Sequence, residues 1–221
     1  MGMKQAGHIV WDWNGTLFHD TDAVVGATNA AFAEVGIGPL TLERYRELYC
    51  VPVIRFQERM MGRRPTDDEF AAMDRVFHAQ YTLNSAVCEL AEGVEALLGE
   101  WSAAGHSQSI LSMYPHDSLV PLVRKIGIDT HFLRVEGRTG SLMGGKSEQM
   151  VRHLAALAHI DPARTVVIGD AADDAVAAAH VGARAVLYTG GSHSRASLES
   201  VGVPVVDTLA EAVAEATRLA A

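Results

Sequence analysis

Short apolar runs alternate with helix-like stretches along most of the chain, and this alternation constrains the fold more than any other sequence feature. The apolar runs, each ending at a polar or glycine-rich turn, are residues 8–11, 109–111, 165–168 and 185–188. Apolar residues recur at helical spacing in residues 91–104, 116–126, 147–159, 173–180 and 207–221. Such alternation predicts an α/β fold in which a Rossmann-like parallel sheet carries helices on both faces.

One region, residues 18–88, interrupts this alternation. It contains no strand-like run, and its apolar residues predict four helices, at residues 21–35, 42–49, 53–61 and 67–83. Thr66 and Glu69 form an S/T-x-x-E capping signal at the start of the last of these helices. We therefore predict an α/β core of residues 1–17 and 89–221 and a small all-helical cap domain of residues 18–88.

The composition argues against several classes of function. The net charge is −9 with only 18 Lys and Arg, whereas a duplex-binding protein needs a basic face, so nucleic acid is not an expected partner. No segment has the length and apolarity of a membrane span or a signal peptide. The two cysteines, Cys50 and Cys88, form no CxxC or metal-ligand pattern. We therefore expect a cytoplasmic protein that is not bound to a membrane.

The strongest candidate for chemistry follows the first predicted strand, where the sequence reads Asp12-Trp13-Asn14-Gly15-Thr16. A carboxylate on a tight, glycine-permitted turn at a strand end can meet a substrate and a cation together. Parallel sheets bind ligands outside the carboxyl ends of their strands, and Ser112 and Asp170 also follow predicted strands. Taken alone, an Asp before Asn-Gly is equally consistent with ordinary turn chemistry.

A second acidic segment, Gly169-Asp170-Ala171-Ala172-Asp173-Asp174, follows a later apolar strand. Three carboxylates in five positions repel one another, and a divalent cation with hard oxygen ligands accounts for them economically. Capping of a helix N-terminus by Asp170 or Asp173 is an alternative that is compatible with a metal site.

Two further residues could hold a phosphate. Ser112 offers a hydroxyl after its strand, and Lys146 stands at the entrance to a predicted helix, where it could neutralise a phosphate. Taken alone, a single Ser or a single Lys is also common on the solvent-exposed surface of a protein.

In chain order, these elements resemble the four motifs of the haloacid dehalogenase superfamily. The resemblance extends from Val10 to about Gly182, and residues 18–88 resemble the helical cap of its phosphoglycolate phosphatase and phosphomutase branch. The four matching elements are Asp12-x-Asn14-Gly15-Thr16, Ser112, Lys146 and Gly169-Asp170-x-x-x-Asp174.

The resemblance implies a magnesium-dependent phosphohydrolase that acts on a small phosphorylated metabolite. Asp12 would attack the phosphoryl group, and water would hydrolyse the resulting aspartyl-phosphate. Ser112 and Lys146 would hold the transferring group, with Thr16 and Gly145 also contributing to phosphate binding. The Mg²⁺ ligands would be the carboxylates of Asp12 and Asp170 and the backbone carbonyl of Asn14, with Asp174 close by or in contact with a ligand.

One catalytic position departs from the family pattern, because Asn14 stands where phosphatases of this family have a second Asp. An amide cannot give or take a proton at neutral pH, and general acid–base catalysis contributes roughly 10²- to 10⁴-fold. Four consequences are open: slow turnover with a long-lived phosphoenzyme, a substitute proton carrier such as His19, a leaving group that needs little protonation, and deamidation at Asn14-Gly15.

Other chemistries of the superfamily fit less well. Its phosphonate hydrolases use a Schiff-base lysine in the cap, and residues 18–88 contain no lysine. Its dehalogenases carry Tyr at the position of Asn14 and have no need of the carboxylates at Asp170 and Asp174.

Two alternatives from other classes remain. Residues 140–147 match the Walker A pattern G-x-x-x-x-G-K-[ST], with residues 166–170 in the role of a Walker B strand, as in a nucleotide hydrolase. Against it, Glu136 and Arg138 separate this loop from a predicted strand at residues 132–135, and the motif at Asp12 would be unexplained. The second alternative is a catalytically weakened member that binds a phosphometabolite without efficient turnover.

Arginines in the predicted cap are candidates for substrate selection. Arg55 and Arg59 stand one helical turn apart and could meet a substrate carboxylate or a second phosphate. Pairing with acidic residues on the cap surface explains them as well. The motifs specify the chemistry and leave the metabolite and the oligomeric state open.

Overall fold

The computed structural model describes residues 6–140 and 145–220, which form a six-stranded parallel sheet with helices on both faces. This confirms the predicted fold class. The strand order is β3-β2-β1-β4-β5-β6. The strands are β1 (His8–Trp11), β2 (Ser107–Pro115), β3 (Val135–Arg138), β4 (Thr165–Gly169), β5 (Arg184–Tyr188) and β6 (Val205–Val206).

Ten α-helices are described, and four of them lie in the predicted cap region, residues 18–88. These four are α1 (Thr21–Ala33), α2 (Leu42–Leu48), α3 (Val53–Met61) and α4 (Asp67–Ser85). The remaining helices are α5 (Val94–Ala103), α6 (His116–Ile126), α7 (Lys146–Ala156), α8 (Ala172–His180), α9 (Arg195–Glu199) and α10 (Leu209–Ala220). The predicted capping box is present, because Thr66 Oγ1 accepts from Glu69 N and Glu69 Oε2 accepts from Thr66 N.

Several boundaries differ from the sequence-based expectation. β2 extends to Pro115, so Ser112 lies inside the strand and not after it. β3 runs from Val135 to Arg138, where the sequence predicted that the strand would already have ended. Glu136 and Arg138 belong to β3, so the prediction that they separate the strand from the Walker-like loop was wrong. Residues 141–144 of that loop lie outside the described residues. The two-residue strand β6 was not predicted, because its apolar run is too short to show a period.

The two faces of the sheet bury separate apolar clusters, as the period of two along a strand requires. Ile9 and Trp11 of β1 belong to the cluster under α5, α6 and α10, whereas Val10 belongs to the cluster under α7, α8 and α9. Because both faces are covered, β1 is fully buried and its carboxyl end lies at the centre of the sheet.

Helices α1 to α4 bury an apolar cluster of their own, which includes Phe32, Tyr45, Phe56 and Met73. The aromatic rings of Phe32 and Tyr45 each lie 5.4 Å from that of Phe56. The division into a core and a cap at residues 18 and 88 stays a prediction, and this separate cluster supports it. Within the described part of the chain, no helix has both the length and the apolarity needed to cross a bilayer.

A chain of buried polar side chains crosses the sheet beneath α7. His8 Nδ1 lies 2.8 Å from Ser107 Oγ, and His8 Nε2 lies 2.9 Å from Ser109 Oγ. His153 Nε2 lies 2.8 Å from the same Ser109 Oγ, and His153 Nδ1 lies 2.9 Å from Glu136 Oε2. Burial, followed by the charges of neighbouring histidines, lowers the pKa of His8 to about 3. His8 is therefore neutral in the folded protein at every ordinary pH.

Acid should destabilise the fold through His8. The unfolded chain binds a proton at His8 below about pH 6.5, but the folded chain does not until about pH 3, so stability falls as the pH drops through this window. At pH 5 the loss is about 2 kcal/mol. We expect His8→Gln to show a shallower decline of Tm between pH 7 and pH 5 than wild type, by differential scanning fluorimetry. The exposed His180→Gln serves as the control, and equal slopes for wild type and His8→Gln would contradict this assignment.

Candidate active site

Asp12 is fixed at the carboxyl end of the central strand. Its backbone N–H donates to Ile168 O of β4 at 2.8 Å, which continues the parallel ladder one residue beyond β1. The turn that follows requires Gly15, whose φ is +70° and whose missing side chain leaves room for Asp170. Asp12 is 8% exposed, so its carboxylate faces a nearly closed site.

Lys146, the first residue of α7, joins two carboxylates at the centre of this site. Its Nζ donates to Asp12 Oδ1 at 2.7 Å and contacts Asp174 Oδ1. The side chains of Lys146 and Asp174 are 5% and 0% exposed. Burial by itself lowers the pKa of Lys146, but the charges of Asp12 and Asp174 hold it well above its usual value. Lys146 therefore carries a positive charge beside Asp12, and its role in holding a phosphate stays a prediction.

Asp170 lies in the turn that leads from β4 into α8, and Asp174 is the third residue of α8. Asp170 Oδ2 accepts from Ser192 N at 2.7 Å, and Asp174 Oδ2 accepts from Ala171 N at 3.1 Å. The residue at the N-cap of α8 is Ala171, so the prediction that Asp170 or Asp173 caps this helix was wrong. The carboxylate that satisfies the N-terminus of the helix is that of Asp174.

Three carboxylates converge in the way that the sequence predicted for a magnesium site. One oxygen each from Asp12, Asp170 and Asp174 lies within 4.8 Å of the others. Burial raises the pKa of Asp12 to about 6, and burial together with neighbouring carboxylates raises those of Asp170 and Asp174 to about 7. A divalent cation at this point would favour the ionised forms of these buried carboxylates, and their hard oxygen ligands suit a small ion such as Mg²⁺.

Three further residues were predicted to bind phosphate, and two of them are buried. Ser112 is buried in β2, and its Oγ accepts from Tyr114 N at 3.0 Å. Thr16 is buried, and its Oγ1 has no hydrogen-bond partner among residues 6–140 and 145–220. Gly145 is the N-cap of α7, directly before Lys146. Their roles in phosphate binding stay predictions.

The side chain of Asn14 is bound to a residue that the motif analysis overlooked. Asn14 Nδ2 donates to Asp20 Oδ2 at 2.7 Å and to Tyr81 Oη at 2.8 Å. Tyr81 Oη donates to Asp20 Oδ2 at 2.7 Å, and Gly15 N donates to Asp20 Oδ1 at 2.8 Å. Asp20 is 1% exposed although it lies outside the recognised motif. A polar residue just before an apolar helix was the only sequence signal that could have drawn attention to it.

The same contacts bear on two of the consequences considered for Asn14. Deamidation needs the backbone nitrogen of Gly15 to attack the Asn14 amide, and this N–H is shared between Asp20 Oδ1 at 2.8 Å and Phe18 O at 3.0 Å. The folded chain therefore disfavours deamidation. His19, considered as a substitute proton carrier, has an exposed side chain.

A different cap arginine from those proposed contacts the core. Arg46 of α2 donates from Nε to Gly191 O at 2.7 Å and from Nη2 to Gly190 O at 2.9 Å. The same segment supplies the N–H of Ser192 to Asp170. A side chain at Gly191 would collide with the Asp170 carboxylate. Arg46 thus connects the predicted cap to the loop that supports Asp170, one of the candidate metal ligands.

The arginines that the sequence put forward lie on the surface of the cap. Arg55 and Arg59 are both exposed. Arg59 donates to Leu48 O at 3.2 Å, which is a backbone oxygen and not the acidic side chain that the surface alternative predicted. The neighbouring Arg63 does pair with an acidic residue, at 2.8 Å from Glu69 Oε2.

Comparisons with known proteins identify the family to which the sequence is similar. The model of the haloacid dehalogenase-like hydrolases matches residues 7–182. A phosphoglycolate phosphatase of Synechococcus elongatus is 26% identical over 192 residues, which cover 86% of this chain and 87% of that protein.

Solved structures share the fold. A haloacid dehalogenase family hydrolase of Deinococcus radiodurans, with bound phosphate and sodium, superposes with a TM-score of 0.69 at 21% identity, over 97% of this chain and 98% of that one. Protein tyrosine kinase A of Mycobacterium tuberculosis gives a TM-score of 0.76 at 23% identity, over 95% and 99%. Since both a hydrolase and a kinase have this fold, the fold alone does not select the reaction.

Proposed function

The chain belongs to the haloacid dehalogenase-like hydrolase family, and from that membership we propose that it is a magnesium-dependent phosphatase acting on a small phosphorylated metabolite. The observation that carries the proposal is the convergence of Asp12, Asp170 and Asp174 around the buried ammonium of Lys146. A nucleophilic carboxylate beside a fixed positive charge and a set of hard oxygen ligands suits phosphoryl transfer.

The proposed reaction has two displacements. An oxygen of the Asp12 carboxylate attacks phosphorus, the bond to the leaving oxygen breaks, and the leaving group departs as an alcohol once it has taken a proton. Water then attacks the aspartyl-phosphate, which releases inorganic phosphate and restores Asp12. Lys146 holds Asp12 Oδ1 at 2.7 Å and offsets negative charge on the transferring group.

Mg²⁺ would be held by Asp12 and Asp170, with Asp174 adjacent and the Asn14 backbone carbonyl as a further ligand. When bound, it supplies Lewis-acid stabilisation of the negative charge on the phosphoryl oxygens. Asp170 is suited to this task because Ser192 N fixes one of its oxygens at 2.7 Å, so its orientation is set before any cation arrives.

The proposed substrate class is a small phosphorylated carboxylic acid, of which phosphoglycolate is the first to test, since a relative covering most of the chain is a phosphoglycolate phosphatase. The free state of Cys50 and Cys88 supports a reducing, cytoplasmic location as part of the same proposal.

The test is a measurement of inorganic phosphate released from p-nitrophenyl phosphate, phosphoglycolate and a panel of other phosphometabolites. We expect release in the presence of Mg²⁺ and loss of release with a chelator, because the cation would supply the Lewis-acid stabilisation of the phosphoryl oxygens. Release that persists in full with chelator would contradict the magnesium requirement. Background release from every substrate would contradict the phosphatase.

A second candidate function rests on Asn14. Its amide nitrogen is bound to Asp20 and Tyr81, and no proton can be taken up there, so a phosphometabolite-binding protein with weak turnover is the alternative. Tight binding of phosphoglycolate by calorimetry, together with single-turnover release slower than binding by orders of magnitude, would favour it.

A further inference from the structure

The amide at position 14 is explained by its neighbours. We propose that Asp20 and Tyr81 are positioning residues that require an amide, and exclude a carboxylate, at position 14. They thereby fix the loop that carries Asp12 against helices α1 and α4 of the predicted cap. The part of this inference that concerns turnover rests on the proposed function, and the part that concerns the pairing does not.

The hydrogen-bond inventory determines what position 14 can be. Asp20 accepts three bonds: from Gly15 N at 2.8 Å, from Asn14 Nδ2 at 2.7 Å and from Tyr81 Oη at 2.7 Å. An ionised carboxylate has acceptors only, so every group facing Asp20 must donate. Asn14 meets this requirement with Nδ2, which also donates to Tyr81 Oη at 2.8 Å.

A carboxylate at position 14 would remove the donors that this arrangement uses. Its oxygen would replace Nδ2, 2.7 Å from Asp20 Oδ2, inside a site where Asp20 is 1% exposed. Two buried carboxylates at hydrogen-bond distance repel each other strongly. The other polar atom of the amide, Oδ1, is an acceptor that can orient a donor but cannot remove its proton.

The same three residues connect two parts of the chain. Asn14 lies two residues after the proposed nucleophile, Asp20 directly precedes α1, and Tyr81 lies in α4. Tyr81 is 7% exposed, with its ring stacked on Phe77 at 5.9 Å and packed against Tyr114 at 6.1 Å. A displacement of α4 would therefore shift the loop that carries Asp12, because Tyr81 is hydrogen-bonded to both Asn14 and Asp20.

A reciprocal exchange tests this inference. Asn14→Asp creates the carboxylate pair, Asp20→Asn removes the acceptor, and the double variant Asn14→Asp/Asp20→Asn restores the bond with donor and acceptor reversed. We expect Asn14→Asp to lower Tm by roughly 5–10 °C and the double variant to recover most of that loss. Asp22→Asn, an exposed carboxylate in the first turn of α1, controls for removal of charge at this place.

Turnover supplies the readout that a purely structural role would not move. We expect kcat of Asn14→Asp to fall about 10-fold or more with KM changed far less, and the double variant to regain at least wild-type kcat, because it carries a carboxylate at position 14 without the repulsion. Tyr81→Phe, which keeps the ring, is expected to lower kcat in the same sense.

The outcomes separate the two proposals. If Asn14→Asp is as stable as wild type, or if adding Asp20→Asn gives no recovery, the pairing is overturned whether or not the protein releases phosphate. If the stability pattern holds while wild type releases no phosphate from any substrate, the pairing stands and the phosphatase fails. If stability recovers in the double variant while kcat does not, the positioning role is overturned.

Discussion

Asp12→Asn is expected to lower phosphate release by roughly 10⁴-fold or more, the scale on which loss of a nucleophile acts in other covalent enzymes. The amide keeps an oxygen at the place of Oδ1, where it can still accept from Lys146 Nζ at 2.7 Å, but it cannot form the aspartyl-phosphate. The measurement is single-turnover release of phosphate with Mg²⁺, together with intact-mass detection of an 80 Da phosphoryl adduct in wild type (about the mass of one added phosphoryl group).

This loss should come without loss of the fold. Burial already raises the pKa of Asp12 to about 6, so a neutral amide in its place removes a buried charge that was costly to ionise. We expect the Tm of Asp12→Asn to stay close to that of wild type, because Lys146 keeps Asp174 as its ion-pair partner. Asp117→Asn, an exposed carboxylate in the first turn of α6, is the matched control and should retain full activity. Substantial release by folded Asp12→Asn would rule out Asp12 as the nucleophile.

Lys146→Met is expected to be the most destabilising single change at the site. It leaves the carboxylates of Asp12 and Asp174 buried without the cation that bridges them, and breaking a buried ion pair from one side costs about 3–5 kcal/mol. For a chain of this size that corresponds to a fall in Tm of roughly 10 °C. Phosphate release should fall about 10²- to 10³-fold, since a fixed charge beside the transferring group is lost.

The stability of Lys146→Met should depend on magnesium, because the variant leaves two buried carboxylates without their cation. Millimolar Mg²⁺ should recover part of the lost Tm, because a divalent cation offsets the same carboxylates that Lys146 neutralises. Lys125→Met, which removes an exposed lysine from the last turn of α6, should change neither Tm nor activity. A Tm of Lys146→Met within 2 °C of wild type (less than about 1 kcal/mol for a chain of this size) would contradict the buried bridge.

The site was predictable from the sequence to the extent that it follows from topology. Asp12 and Asp170 follow apolar runs that become β1 and β4, and adjacent parallel strands bring their carboxyl ends together. Lys146 could be located because it begins a helix whose N-terminus returns to the same edge. These are rules about short segments and about the order of elements, which is the information that a sequence carries directly.

The residues that were missed make contacts that no local pattern encodes. Asp20 and Tyr81 are separated by 61 positions, and Arg46 reaches Gly191 across 145 positions. A sequence pattern shows that a helix has a polar face but not which polar residue meets which partner, so Arg55 and Arg59 were chosen and Arg46 was not. The ends of β2 and β3 also depend on pairing between strands. β2 extends beyond its apolar run, whereas β3 begins only at Val135, which pairs with Ile110, so the strand predicted at residues 132–135 is displaced along the chain.

Arg46 donates to the main-chain oxygens of Gly190 and Gly191, while Ser192 donates to Asp170 from its backbone N–H. Sequence drift among homologues should therefore be uneven along this short loop. The side chain of residue 192 is free to vary, whereas the two glycines are not, because added side chains would meet Tyr188 at position 190 and Asp170 at position 191. Selection here acts on the absence of side chains, and it should preserve an arginine at position 46 for as long as it preserves the glycine pair.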